Sequence, residues 1–157
     1  MDARSGLALQ QSELILAATW RPQSGPPYTF MNNTNTMKIL FLDDQLNRWD
    51  AFREKNPTAD ATWASSYYDA VTLIEKNEYD LIYLDHDLGT KATGHTFAQY
   101  MVEKHVPCRF VVCHSMNHVG RVDMTSLLHG SGFNVLNCPY AWEYTTNQVV
   151  SQMDDSY

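Results

Sequence analysis

The sequence contains few cysteines and no long apolar segment, and both shortages exclude classes of protein. Three cysteines in 157 residues, with no C-x-x-C pair among them, are too few for a disulfide scaffold. No apolar run approaches the roughly 18 residues that a membrane-spanning helix needs. Polar residues at 10–13 interrupt the apolar N-terminal stretch, which argues against a secretory signal peptide. We therefore expect a cytoplasmic protein in a reducing environment, with no membrane partner.

Basic residues are also scarce. Lys and Arg number 11 against 18 Asp and Glu, which gives a formal net charge of −7. This charge excludes an extended nucleic-acid-binding surface, although a local basic pocket stays open. The hydrophobic fraction of 44% is high enough to build a core and excludes a wholly disordered chain.

The composition changes near Met37, which predicts a boundary between two parts of the chain. Residues 1–36 are rich in Ser, Gln, Asn, Thr and Pro, and they include the runs RPQSGPP and NNTNT. Such a composition predicts a flexible N-terminal extension. The alternative is an arm that binds a protein partner or covers the edge of a sheet. The folded domain is expected over residues 37–157.

From Met37 onward, short apolar runs alternate with segments of helical periodicity. The first run, MKILFLDD, is continuously apolar before its acids, as in a strand buried on both faces. Leu46, Trp49 and Phe52 follow it at helical spacing. Four further strand and helix pairs follow, with Ser66 predicted to cap the second helix and the last helix over 142–153. Strands are predicted within residues 37–44, 61–66, 79–88, 109–115 and 133–139. Because helical crossovers oblige parallel pairing, this order predicts a doubly wound, five-stranded parallel α/β domain.

Acidic residues follow two of the predicted strands. Ligands of such sheets bind beyond the carboxyl ends of the strands. Asp43 and Asp44 end the first strand, and Asp85 and Asp87 end the third. Four converging carboxylates repel one another unless a cation intervenes, and hard oxygen ligands suit Mg²⁺ or Mn²⁺. The alternative is that these acids cap helices, as Asp44 could for the helix that begins at Leu46.

Two histidines lie at the same predicted edge. His86 is between Asp85 and Asp87, and His114 ends the fourth strand. An imidazole there could bind a metal, act as a general acid or base, or contact a phosphate oxygen. The alternative for each is a buried histidine hydrogen-bonded to a backbone carbonyl.

Three further residues are candidates for phosphate binding. Arg48 lies one helical turn after Asp44, and its guanidinium matches phosphate oxygens unless it is simply a solvated surface residue. Ser115 and Asn117 could donate hydrogen bonds to a phosphate or a sugar hydroxyl. Asn117 could also cap the fourth helix, and the two functions are compatible. Cys138 is interpreted as a half-buried residue rather than a nucleophile.

This arrangement resembles the receiver domain of two-component signalling. That family has paired acids after the first strand, an acid after the third, a Ser or Thr after the fourth and a Pro after the fifth. The resemblance implies the flavodoxin-like strand order 2-1-3-4-5. It also implies that Asp43 and Asp44 bind Mg²⁺, that Asp85 accepts a phosphoryl group and that Ser115 is the hydroxyl residue. Receivers carry a lysine before the fifth-strand proline, whereas Cys138 precedes Pro139 here.

Two motifs are not receiver signatures. LDHDLG and CHSMN resemble those of the receiver-derived domains described as cyclic-phosphate-processing. That resemblance implies action on nucleotides or RNA ends that bear a cyclic phosphate. We expect a metal-assisted phosphoesterase with Asp85, His86 and His114 as catalytic residues. The alternative is a non-catalytic receiver-like signalling module, or a protein that binds and sequesters a nucleotide.

Overall fold

A computed structural model of the chain describes residues 37–154. The extension predicted over residues 1–36 lies outside this range. The described residues form five strands, five α-helices and one short 3₁₀ helix in alternation. In chain order they are β1 (Lys38–Leu42), α1 (Leu46–Lys55), β2 (Asp60–Ala64), α2 (Tyr67–Lys76), β3 (Leu81–Leu84), α3 (Gly94–Glu103), β4 (Phe110–Cys113), α4 (His118–Gly130), β5 (Val135–Asn137), the 3₁₀ helix (Ala141–Glu143) and α5 (Thr146–Asp154).

The five strands form one sheet in the order β2-β1-β3-β4-β5. Every neighbouring pair is parallel, so the predicted doubly wound topology 2-1-3-4-5 is confirmed. Leu42 is in register with Leu84, and Leu84 with Cys113. The residues that follow these three therefore leave the sheet at the same level, which decides where the site is.

The two faces of the sheet have cores of different character, because alternate strand residues point to opposite faces. One face packs aliphatic strand residues such as Leu40, Ile82 and Val111 against α2, α3 and α4. The other face is rich in rings. Phe41 has its ring centroid 4.9 Å from that of Phe52 and 5.5 Å from that of Tyr83. The rings that border the carboxyl end of the sheet lie on this second face.

Two of the helices begin at the caps that the sequence predicts. Ser66 accepts a hydrogen bond from the Asp69 amide, and Asn117 accepts one from the Gly120 amide. At α1 the N-cap residue is Gln45, and it makes no side-chain cap. The Gln45 amide donates instead to Asp43 Oδ1 at 2.8 Å. The alternative in which Asp44 caps α1 is therefore not what the structure adopts.

The last predicted helix is divided in two. The segment 142–153 contains the end of the 3₁₀ helix, an extended residue at Tyr144 and then α5. Thr145 Oγ1 accepts from the Gln148 amide while Gln148 Oε1 accepts from the Thr145 amide. These reciprocal bonds start a new helix at this point.

In the part of the chain that the structure describes, no helix is both long and apolar enough to cross a membrane.

Candidate active site

Three buried side chains meet at the carboxyl edge of the sheet. Asp43, Asp85 and His114 each follow a strand, and their amides continue the strand ladder, with Asp85 N bonding Leu42 O and His114 N bonding Leu84 O. All three are at most 2% exposed. Their ligand atoms lie within 4.8 Å of one another, and His114 Nε2 is 2.9 Å from Asp43 Oδ2. Two carboxylates and an imidazole thus converge in a shielded position.

Rings enclose the His114 imidazole. It stacks on Phe41 at a centroid distance of 5.1 Å and meets Trp142 edge-on at 5.4 Å. Its Nδ1 is buried and has no hydrogen-bond partner among residues 37–154. The ring is therefore held by packing and by Asp43, with only Nε2 turned toward the acids.

The Arg48 guanidinium lies over the two acids. Its Nη1 is 3.4 Å from Asp43 Oδ2 and 3.5 Å from Asp85 Oδ2. The guanidinium carbon lies 4.8 Å from the centre of the Trp142 ring, and 23% of the Arg48 side chain is exposed. Arg48 is thus not a freely solvated residue. Its ion pairs are long enough that an incoming anion could compete for the same donors.

Burial and charge raise the pKa of Asp85. Desolvation is the largest cause and the neighbouring Asp43 charge is the next, while His114 and Arg48 act in the opposite direction. The result is a pKa of about 6. A carboxylic acid that titrates near neutral pH is typical of a functional site, although structural pairs also produce such shifts.

A second histidine pair lies further out. His86 Nδ1 is 2.8 Å from Asp87 Oδ1, and Asn117 Nδ2 is 3.3 Å from the same oxygen. The hydrogen bond from His86 is the main reason that the pKa of Asp87 lies below its usual value. The His86 ring also rests on Gly120, where an added Cβ would be 2.5 Å from His86 Cγ and Cδ2. A carboxylate and a glycine therefore fix the orientation of His86.

Glycine is also required where α3 begins. A Cβ at Gly94 would lie 1.6 Å from the carbonyl oxygen of Asp85. The Gly94 amide donates to the His86 carbonyl at 2.8 Å. The loop from β3 thus folds back directly onto the site residues.

The predicted phosphate-binding residues Ser115 and Asn117 belong to the loop between β4 and α4. Ser115 Oγ accepts from the Asn117 amide at 3.0 Å, and Asn117 Oδ1 caps α4. Arg121 braces this loop by donating to the Ser115 carbonyl at 2.6 Å. The structure therefore uses both side chains to shape the loop beside His114. Their predicted contact with a phosphate remains a prediction.

The four acids predicted as metal ligands do not all converge. Within residues 37–154, the converging donor group consists of Asp43, Asp85 and His114. Asp87 is paired with His86, and Asp44 lies beside the positive-φ Gly89, whose added Cβ would be 3.2 Å from Asp44 Oδ2. Two carboxylates with one imidazole fit a divalent ion. The imidazole nitrogen favours Mn²⁺ or a softer ion over Mg²⁺.

Several residues that shape this site carried no signal of function in the sequence. Trp142 contacts both Arg48 and His114, but it lies in a segment of weak periodicity. Gly120 occurs inside a helical pattern, and nothing in that pattern predicts that the His86 ring packs on it. An isolated glycine in such a pattern is the one available hint, because it usually has a packing reason.

Solved structures identify the fold as that of a receiver domain. The signal receiver domain of a Luxo repressor protein from Vibrio parahaemolyticus is 20% identical, with a TM-score of 0.59 over 76% of this chain and 92% of its own. The response regulator TrrA from Thermotoga maritima, solved in complex with Mg²⁺-BeF, is 15% identical, with a TM-score of 0.58 over 78% of this chain and 100% of its own. These likenesses support the fold alone.

The family follows from a direct match of the sequence. Residues 38–130 match the model of the family described as the cyclic-phosphate processing receiver domain. The chain belongs to this family, and the resemblance expected from LDHDLG and CHSMN is confirmed. No curated protein matches the chain.

Proposed function

We propose that this chain is a metal-assisted phosphoesterase that hydrolyses a cyclic phosphate on a nucleotide or on an RNA end. The observation that carries the proposal is the convergence of Asp43, Asp85 and His114 beneath the Arg48 guanidinium. Groups suited to bind a metal ion and an anion therefore meet at one edge of a receiver fold. The family's description as cyclic-phosphate processing agrees with this chemistry.

Asp43, Asp85 and His114 would hold the divalent ion, Mn²⁺ or Mg²⁺, with Asp44 and Asp87 as further acids at its margin. When bound, such an ion supplies Lewis acidity and a water of lowered pKa. The ion also offsets the negative charge of the two buried carboxylates. Without a cation, those carboxylates would repel an anionic substrate.

Arg48 binds the phosphate in this proposal. Its guanidinium is the cation at the mouth of the acid cluster, and its stacking on Trp142 limits its movement. Ser115 and Asn117 would position the remaining phosphate oxygens from the adjacent loop. Oriented contacts of this kind lower the barrier by holding the reacting atoms in place.

His86 transfers the proton. Hydrolysis adds water to phosphorus and breaks one bond from phosphorus to a ribose oxygen, and that oxygen must gain a proton. Because Asp87 accepts the hydrogen bond from His86 Nδ1, Nε2 donates the proton to the leaving oxygen while the ring is an imidazolium. Water supplies the balancing proton, which returns to the imidazole.

The chain also departs from ordinary receivers. Cys138 replaces the lysine expected before Pro139, and desolvation raises the Cys138 pKa. A neutral thiol cannot stabilise an aspartyl phosphate as an ammonium group does. This departure supports hydrolysis over phosphorelay.

The test is a panel of cyclic and linear nucleotides, assayed for product with Mg²⁺, Mn²⁺ and Zn²⁺. Hydrolysis of a cyclic phosphate by the wild-type chain, lost in Asp85→Asn, supports the proposal. A stable modification of Asp85 by a small acyl phosphate would instead indicate a receiver. Tight nucleotide binding without product would indicate a sequestering module.

A further inference from the structure

Tyr140 is an exposed aromatic residue that immediately follows Pro139 at the end of β5. Its side chain is 45% exposed, and its backbone is left-handed at φ 63° and ψ 24°. This conformation is disfavoured for a residue with a Cβ. The Tyr140 carbonyl accepts a hydrogen bond from the Glu143 amide at 2.9 Å, which closes the turn into the 3₁₀ helix. The chain therefore holds an aromatic ring in solvent at some steric cost.

The Tyr140 ring is connected to the site through one indole. Its centroid is 5.5 Å from that of Trp142. The same Trp142 ring meets His114 at 5.4 Å and carries the Arg48 guanidinium at 4.8 Å. Trp142 itself is only 6% exposed, so it is a fixed support rather than a mobile contact. Tyr140 and Arg48 thus both contact one buried ring.

Other apolar side chains are exposed around the same edge. Leu46 begins α1 and is 55% exposed, Met116 lies between β4 and α4 and is 42% exposed, and Val119 in the first turn of α4 is 68% exposed. Single exposed apolar residues are common, but several that border one polar site suggest a ligand with an apolar part. A phosphate group alone would make no apolar contact with these side chains.

We propose that Tyr140 is the stacking platform for the base of a nucleoside cyclic monophosphate, with the phosphate of that nucleotide at Arg48. This inference deepens the proposed function and rests on it for the position of the phosphate. A nucleobase stacks on an aromatic ring whatever its identity, because every base has a π-face.

The net charge of the chain favours a mononucleotide over a nucleic-acid polymer as the ligand. At −7 the protein repels a polyanion, and binding along a nucleic-acid backbone requires lysines and arginines that this chain has in small number. A mononucleotide needs one local cation, which Arg48 supplies. The substrate class is therefore a free nucleotide rather than the end of an RNA.

Isothermal titration of the full-length chain with Mn²⁺ tests the inference by binding alone. The two probes are adenosine 3′-monophosphate and glycerol 2-phosphate, which share a phosphate on a secondary carbon. Only the nucleotide carries a ribose ring and a base, and the Tyr140 variants isolate the part of its affinity that comes from the base. We expect the nucleotide to bind about 5- to 100-fold more tightly than glycerol 2-phosphate, the range typical of one stacked base.

Substitutions at Tyr140 decide whether that advantage comes from the ring. Tyr140→Asn removes the ring, and asparagine tolerates the left-handed backbone. Tyr140→Asn should abolish most of the nucleotide's advantage in affinity without weakening the binding of glycerol 2-phosphate. Tyr140→Phe should retain that advantage. Tyr144→Ser is the matched control, because Tyr144 is 46% exposed and belongs to the same connection.

The outcomes separate this inference from the proposed function. Equal affinity of wild type and Tyr140→Asn for the nucleotide overturns it, as does failure of both probes to bind. Tighter binding of a short RNA with a 3′-phosphate than of the mononucleotide overturns the choice of the monomer. A chain that binds the nucleotide through Tyr140 but hydrolyses no cyclic nucleotide upholds the platform and refutes the enzyme.

Discussion

Two histidine–aspartate pairs lie at one edge of the sheet with nearly equal separations and opposite surroundings. In the outer pair, His86 and Asp87 are 2.8 Å apart, with side chains 20% and 67% exposed. In the inner pair, His114 and Asp43 are 2.9 Å apart, and both side chains are fully buried. The same two residue types are therefore suited to different tasks. The outer pair can exchange protons with solvent and substrate, whereas the inner pair is part of the core and offers ligand atoms.

The largest effect is expected from the outer pair, on turnover. His86→Ala removes the proposed proton donor and should lower the rate of cyclic phosphate hydrolysis about 10²- to 10⁴-fold. Its free energy of unfolding should fall by about 1 kcal/mol, because the ring is only 20% exposed and packs on Gly120. Rate assays and thermal denaturation measure the two quantities. His129→Ala changes an exposed histidine at the end of α4 and is the control. Unchanged turnover in His86→Ala would remove the outer pair from the mechanism.

The inner pair should show its largest effect on stability. His114→Ala deletes a ring that packs on Phe41 and Trp142, and it leaves the buried Asp43 without its imidazole partner. We expect a loss of about 3 kcal/mol in the free energy of unfolding. Denaturant titration measures it. If the variant does not fold, His114→Gln keeps a polar group near Asp43 and should lose less. A loss no larger than that of His86→Ala would contradict the distinction between the two pairs.

Displacing His86 without deleting it gives a smaller effect. An added Cβ in Gly120→Ala would collide with the His86 ring, so the ring must rotate away from Asp87. Turnover should fall about tenfold, a fraction of the general acid–base contribution. Stability should fall as well, because His86 Cγ is the base of the ring and the whole side chain must shift to clear the added Cβ. Gly130→Ala is a close control in the same helix, because nothing lies within 4 Å of its Cβ. Equal activity of the two variants would show that the orientation of His86 is unimportant.

The smallest effect concerns pH. The raised pKa of Asp85, about 6, means that the folded chain keeps its proton at pH values where the unfolded chain, with a pKa near 4, has lost it. The contribution of protonated Asp85 to the free energy of unfolding is therefore fully present below about pH 4 and is lost as the pH rises through 6. Metal-free Asp85→Asn should gain stability relative to wild type over that interval, by a few degrees in the unfolding midpoint.

The opposite sign is expected for the outer acid. The pKa of Asp87 is lowered, so its ionised form favours the folded state above pH 4. Asp87→Asn should accordingly lose a little stability relative to wild type as the pH rises. The difference between variant and wild type, measured in EDTA from pH 4 to pH 8, compares the two sites. The same sign in both variants would contradict the contrast in their surroundings.

The sequence predicted much of the fold and part of the site. The five strands and their parallel order followed from apolar runs separated by helical crossovers. Asp43, Asp85 and His114 were predicted at one edge because each follows a buried strand, and the register brings them to one level. Asp44 and Asp87 are the second and third residues after their strands, and they do not join this group because the chain has already left the sheet there.

Contacts between distant loops could not be predicted in this way. Trp142 against Arg48, and His86 against Gly120, depend on how the loops close over the edge. No local period encodes these contacts, because each depends on where another element packs.

By itself the sequence determined which residues end the strands, since strand length and polarity are local properties of the chain. Only the tertiary structure decided that one histidine is sealed among rings while the other is open to solvent. Burial depends on the elements that pack above a residue, and in this chain Phe41 and Trp142 cover His114, whereas the loop after β3 leaves His86 partly uncovered. The different surroundings of these two pairs of the same residue types are therefore a property of the fold.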